Sequence, residues 1–310
     1  MRRFGLTIVA IGLLGVCAKG QQTWTKPKPP SSAPPQAQAV GYNVLTHGPN
    51  VTLGRNWFAI PGLATLNLVQ NADGSVTDYG VTDADDWHYN DHFGTDHPGP
   101  NNTFAGVAFN GGGYFEIVMS IANPIRGWCD PGKDPTCKGW PAWWGNGIHG
   151  AFSDVPEISN GQNIEYDAAE FLLASNRAYS AGLIHRHAGQ TYTEQNAGYG
   201  TSTVTLPAAN KFAAKHKYGW LWVPATATTK GYIRNYFDDA QVGNTYTWDR
   251  YGGGTEPNGS GCAFGSIIDL QHHRLMLGTG PENPMTVYSV TVWQKDDSKN
   301  KRVGVPLPTG

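Results

Sequence analysis

The 310-residue chain carries a net charge of −2, and only 15% of its residues are charged. That balance excludes a general polyanion binder, so neither nucleic acid nor an anionic membrane surface is expected as a partner. Forty glycines, 21 prolines and 12% aromatic residues argue against long helices and favour many short strands joined by turns.

Residues 1–18 have the pattern of a secretory signal: Arg2 and Arg3, an apolar run from Leu6 to Val16, then small residues. The run is too short to span a bilayer, so secretion without a membrane span is expected. The alternative is a lipoprotein anchored through Cys17, against which Val16 stands where a smaller residue is usual. Residues 19–40, with Pro27, Pro29, Pro30, Pro34 and Pro35, read as a stiff extended linker without a core. No composition break divides residues 41–295, which suit one large β-sandwich. Residues 296–310 read as a charged, loosely held tail.

The run Asp83, Asp85, Asp86, His88, Asp91, His92, Asp96, His97 fits no compact zinc spacing and lacks the regularity of a calcium loop. It reads as a polar loop, and no metal is assigned. If Cys17 leaves with the signal, Cys129, Cys137 and Cys262 remain. Cys129 and Cys137 flank a turn-rich loop, and a disulfide between them is worth about 2.5 kcal/mol on loop-closure grounds. It would stiffen the approach to Trp140-Pro141-Ala142-Trp143-Trp144. Cys262 is then left as a small apolar residue.

The most informative stretch is Asn163 to Phe171, in which Glu165, Asp167 and Glu170 fall within six residues. On a strand, Glu165 and Asp167 share one face while Ile164 and Tyr166 take the other. Strict alternation puts Glu170 on the wrong face, and one bulged residue at Ala168-Ala169 restores it. The Cα atoms of Glu165 and Glu170 then lie roughly 13 Å apart. Two inward-leaning side chains at that spacing can approach the separation of about 5 Å used in retaining glycoside hydrolysis. The bland alternative is a solvated sheet face that happens to be acidic. Glu170 to Leu173 is read as continuing this strand. Few charges among many Trp, Tyr, Asn and Gly suit a neutral sugar polymer, because aromatic faces stack on pyranose rings and amides bond hydroxyls. Most of the eleven Trp are nonetheless expected to fill the sandwich core.

Taken in order, five segments resemble family-16 glycoside hydrolases, the laminarinase, agarase and carrageenase group. They are the strand from Gly113-Tyr114-Phe115-Glu116, the Trp140–Trp144 segment, the E-x-D-x-x-E of 165–170, Tyr236-Phe237-Asp238-Asp239 and the strand Thr286–Gln294. The likeness spans roughly residues 105–295. It implies Glu165 as nucleophile and Glu170 as general acid/base, with Asp167 coupled to both. It also implies that Trp140 and Trp144 line the cleft or pack beneath it. A strand His near the leaving-group side corresponds to His185 or His187. Two positions depart from the family: Val155-Pro156 replaces a Trp-Pro pair that walls the sugar site, and Tyr288 replaces an Asp that often helps hold calcium.

The expected fold is an all-β, concanavalin A-like β-jelly-roll sandwich of two antiparallel sheets, with the acidic strand central. The expected function is a secreted, endo-acting retaining glycosidase on a β-linked polysaccharide, acting as a monomer without a cofactor. A β-1,3- or mixed-linked glucan ranks first, a galactan such as agar or carrageenan next. A non-catalytic lectin-like sandwich is the rival from another class. A polysaccharide lyase stands third, without a recognisable Tyr/His/Arg set.

Overall fold

The structure is a computed structural model and describes residues 28–53, 57–59, 67–80, 91–94, 96–98, 104–122, 140–147, 163–173, 175, 177–188, 193–194, 202–207, 211–250, 265–280 and 283–303. A single α-helical turn, α1 (Pro35–Gln38), is followed by β1 (Val44–His47), β2 (Phe58–Ala59), β3 (Leu68–Gln70), β4 (Val76–Asp78), β5 (Asp91–Gly94), β6 (Asp96–Pro98), β7 (Phe104–Ala108) and β8 (Gly113–Ile121). Next come β9 (Ala142–Gly147), β10 (Asn163–Glu170), β11 (Ala178–Ala181), β12 (Leu183–Ala188), β13 (Thr193–Glu194) and β14 (Ser202–Thr205). The last are β15 (His216–Val223), β16 (Gly231–Phe237), β17 (Ala240–Trp248), β18 (His273–Thr279), β19 (Met285–Gln294) and β20 (Lys301–Val303), with a 3-10 turn at Gly265–Leu270 before β18.

Two large antiparallel sheets form a jelly-roll-type sandwich. One runs β17-β16-β15-β8-β19-β4-β3, with β1 also on β19. The other runs β13-β12-β10-β9-β18-β5-β2, with β11 on β10 and β14 on β11. The acidic strand β10 is therefore interior, laddered to β12 on one side and to β9 on the other.

Period-two alternation explains the core. On β8, Phe115, Ile117, Met119 and Ile121 point between the sheets, as do Tyr218, Trp220 and Trp222 of β15 and Val287, Val290 and Val292 of β19. Facing them are Trp143 of β9, Ile164 and Tyr166 of β10, and Leu275 and Leu277 of β18. Trp220 stacks on Phe115 at 4.2 Å between ring centroids and meets Tyr166 at 5.1 Å across the layer. Such aromatic pairs add about 0.5–1.5 kcal/mol to their area burial.

The structure departs from the sequence expectation in three places. Within the proline-rich segment, Pro35–Gln38 is helical, and Ala33, Ala37 and Tyr42 pack on Tyr114, Leu221, Tyr236 and Trp293 of the first sheet's outer face. That part of the expected linker is a strap with its own small core. Near the C-terminus, Lys301–Val303 pairs with β7, so the tail is tied down there. Finally, β10 ends at Glu170 rather than continuing to Leu173. Phe171 donates its N–H to Pro141 O at 3.0 Å and turns into the core, stacking on Tyr179 at 5.4 Å and meeting Phe212 edge-on.

Candidate functional site

Position by position, β10 separates two chemistries. Ile164, Tyr166, Ala169 and Phe171 belong to the main core. Glu165, Asp167 and Glu170 take the opposite face. The ladder to β9 shows how: Asp167 pairs with Trp144 and Ala169 with Trp143, so Ala168 is the extra residue of a β-bulge. Two residues opposing one re-phases the strand, and Glu170 rejoins the face of Glu165. Asp167 and Glu170 are largely covered, at 4% and 7% exposure, while Glu165 is half-buried.

Segment 140–147 supplies a hydrogen-bond donor to each glutamate. Asn146 Nδ2 donates to Glu165 Oε2 at 2.6 Å, and Trp140 Nε1 donates to Glu170 Oε1 at 3.2 Å. Between these donors, Ala142 and Trp144 form a small apolar cluster with Met276 of β18 and the half-buried Trp140. Trp144 is 6% exposed, so it forms floor beside the acids rather than an open platform. In the β10–β12 ladder, Glu165 pairs with His185 and Asn163 with His187.

The start of β10 is fixed from a distance. Ile164 N donates to Gln271 Oε1 at 2.9 Å, and the Gln271 amide occupies the space a Cβ at Gly147 would need. Gly182, at φ +80°, turns the chain from β11 into β12, and its N–H binds Asp167 O at 2.9 Å. Behind the site, Asp269 of the 3-10 turn accepts from Trp222 Nε1 and Trp248 Nε1, both at 2.7 Å, and from Ala225 N at 2.9 Å. Burial pushes its carboxyl up to about 6 despite these donors. The Tyr166 phenol, buried under the acids, is held well above its ordinary range by desolvation.

The sequence reading picked out Glu165, Asp167, Glu170, Trp140, Trp144 and His185. The structure brings Glu165 and Glu170 together with donors from 140–147, and sets Trp144 opposite Asp167. Asn146, Gln271 and Asp269 were missed. A polar residue alternating with Trp144 and Ala142 was a usable signal for Asn146; no local pattern marks the other two. The expected Cys129–Cys137 disulfide, Cys262, the signal segment with Cys17, Val155-Pro156 and the Asp83–His88 part of the acidic run lie outside the described residues. Asp91 and His92 fall in β5, and Asp96 and His97 in β6. Among the described residues, no three His, Cys, Asp or Glu side chains gather as a metal site, and no helix is long and apolar enough to cross a membrane.

No family model and no curated protein matches the chain. Among solved structures, it is similar to the endo-1,3-β-glucanase from Streptomyces sioyaensis, with 15% identity, 89% of this chain and 99% of the other covered, and a TM-score of 0.47. It is similar to the laminarinase from Rhodothermus marinus at 16% identity, covering 71% and 78%, with a TM-score of 0.40. It is similar also to the lectin UEA-II at 8% identity, covering 81% and 99%, with a TM-score of 0.37. The chemistry of the site rests on its own residues rather than on these likenesses.

Proposed function

We propose that the chain is an exported, endo-acting retaining glycosidase that cleaves a β-linked polysaccharide, with a β-1,3- or mixed-linked glucan as first candidate and a galactan second. The observation that carries this reading is the bulge at Ala168, without which Glu165 and Glu170 could not work on one face. A retaining mechanism needs two carboxyl groups flanking the scissile bond, an ionised one opposite the leaving oxygen and a protonated one beside it; two glutamates on one strand face support that reading.

Glu165, ionised, attacks the anomeric carbon. The bond to the leaving oxygen breaks as that oxygen takes the proton of Glu170, leaving a glycosyl ester on Glu165. Water then attacks the same carbon, gives a proton to Glu170, and the ester bond breaks to restore the Glu165 carboxylate with net retention. Asp167, between the two, couples their titrations by like-charge repulsion. An acceptor sugar in place of water would give transglycosylation.

A digest of laminarin, lichenan, agarose and κ-carrageenan tests the reading. Reducing ends from a glucan are the expected result. Release of an unsaturated sugar would make the chain a lyase, and binding without any product would leave a lectin-like sandwich.

A further inference from the structure

We infer that Asn146 is a positioning residue for Glu165: its side-chain amide clamps one carboxylate oxygen, so that the other is the one that attacks. This rests on the proposed glycosidase reading and assigns a role to a residue outside the acidic strand.

Three observations lead to it. Asn146 is 2% exposed, and burying a primary amide is costly unless its hydrogen bonds are made. Its Nδ2 lies 2.6 Å from Glu165 Oε2, which is short even for an amide donating to a charged acceptor. The two residues are direct cross-strand partners in the β9–β10 ladder, so the backbone holds the donor in register with the acid. The next pair toward the bulge, Asp167 with Trp144, supplies an apolar wall in place of a second amide. Glu170 takes a longer bond from an indole, Trp140 Nε1 at 3.2 Å, so the short amide bond is the one made to the attacking carboxylate.

The chemistry follows from the donor. An N–H bonded to a carboxylate favours its ionised form, the form that must attack. Once the glycosyl ester forms, the clamped oxygen is its carbonyl oxygen. The same N–H then stabilises the negative charge returning to that group as water displaces it. Orientation adds to this, because a carboxylate free to rotate spends less time aligned with the anomeric carbon.

By ladder register, the titratable and charged residues beside this pair are Asp167 and Glu170 on β10, His185 and His187 opposite Glu165 and Asn163 on β12, and Arg274 opposite Asn146 on β18. None of these residues is altered when Asn146 is changed to a neutral residue, so a pH effect in such a variant reports the amide.

The test compares wild type, Asn146→Leu, Asn146→Ala and Glu165→Gln on laminarin, or on whichever polysaccharide the wild type cuts. Asn146→Leu keeps the branched shape of the side chain and removes only the amide, so it tests the idea even if the alanine variant leaves a void that unfolds the sheet. For Asn146→Leu, which loses the donor and adds no charge, the acid limb of kcat/KM should move upward by about one pH unit. For Asn146→Ala, kcat should fall on the order of 10²-fold with KM little changed. A merely structural role would lower the amount of folded enzyme and leave the acid limb where it was. If Glu165→Gln is inactive while Asn146→Leu keeps the wild-type acid limb and kcat, the clamp is wrong and the glycosidase reading survives. If Glu165→Gln still turns over, the glycosidase reading fails and takes the clamp with it.

Discussion

Tyr166, the residue between Glu165 and Asp167, donates its hydroxyl to Asn235 Oδ1 at 2.9 Å on the opposite sheet. The bond ties the underside of the acidic strand to β16 through the core, where Tyr166 is fully buried and Asn235 is 1% exposed. Tyr166→Phe keeps the ring against Trp220 but leaves a buried acceptor without this donor. The loss should be about 1–3 kcal/mol, read as a lower midpoint in urea with an unchanged slope. Because the carboxylates face the other way, turnover of the folded variant should stay within a few-fold of wild type. An unchanged urea midpoint would show that this bond does not hold the sheets together.

Gly147→Ala probes the anchor of β10. Its Cβ would collide with the Gln271 amide, whose Oε1 accepts from Ile164 N. Either Gln271 moves and the start of β10 loses its bond, or β9 shifts. Overpacking of this kind costs about 1–3 kcal/mol, and it should lower activity as well as stability because Glu165 is the next residue along. A thermal melt and a turnover assay at a temperature well below the melt separate the two effects. Full activity with unchanged stability would remove Gln271 from the account.

Between the sheets, titration sets opposite slopes. Burial lowers His47 to about 4 and His273 to about 3, from an ordinary 6.5, so both are neutral in the fold. The unfolded chain binds their protons first, and stability is lost as pH falls below about 6.5. Asp269 is the reverse, raised to about 6 from 3.8. The folded chain binds its proton first, so its contribution grows as pH falls from about 6 to 4 and is lost as pH rises through 6. Asp269→Asn cannot take up this proton, and at pH 7 it exchanges the cost of a buried charge for one donor without an acceptor, so the slope rather than the offset carries the test. The variant's stability should fall more steeply than that of wild type between pH 6 and 4. Parallel stability curves for the two proteins would contradict this.

The N-terminal strap should contribute to stability. Ala37 is fully buried against the outer-face cluster of Tyr42, Tyr114, Tyr236 and Trp293, and Gln36 Nε2 binds Tyr114 OH at 2.7 Å. Ala37→Asp would place an unpaired charge there and peel the strap away. The expected cost is about 1–3 kcal/mol, with new protease cleavage between residues 33 and 43. Resistance to protease at wild-type level would show that the strap is not held by this contact.

How far the sequence could be read depends on the range of each contact. The bulge was legible because the parity of Glu165, Asp167 and Glu170 on one strand requires it, and alternation on β8 and β19 showed which residues face the core. The strap was not legible, since prolines at 27–35 favour an extended chain. What orders it is Ala33 and Ala37 meeting aromatics from β8, β16 and β19, far along the chain. Phe171 continues the apolar pattern of β10 and its N–H makes one more ladder bond to Pro141 O, but Pro141 has no N–H to return and the pairing stops there. Gln271 reaches Ile164 across 107 residues, and Asp269 gathers two indoles from β15 and β17. Neither has a local signature. Asn146 alternates with Trp144 and Ala142 on β9, but an amide in that position has no sequence feature that pairs it with Glu165; the β9–β10 register does.

The division of labour between Glu165 and Glu170 is tested most directly by azide rescue on an aryl β-glycoside with a dinitrophenol leaving group. That leaving group needs no acid for the first step. Glu170→Gln should therefore still form the glycosyl ester, and azide should release it as a glycosyl azide of retained configuration. Glu165→Gln should give no such product, because the attacking carboxylate is gone. A retained glycosyl azide from Glu165→Gln, or wild-type hydrolysis by either variant, would contradict the account.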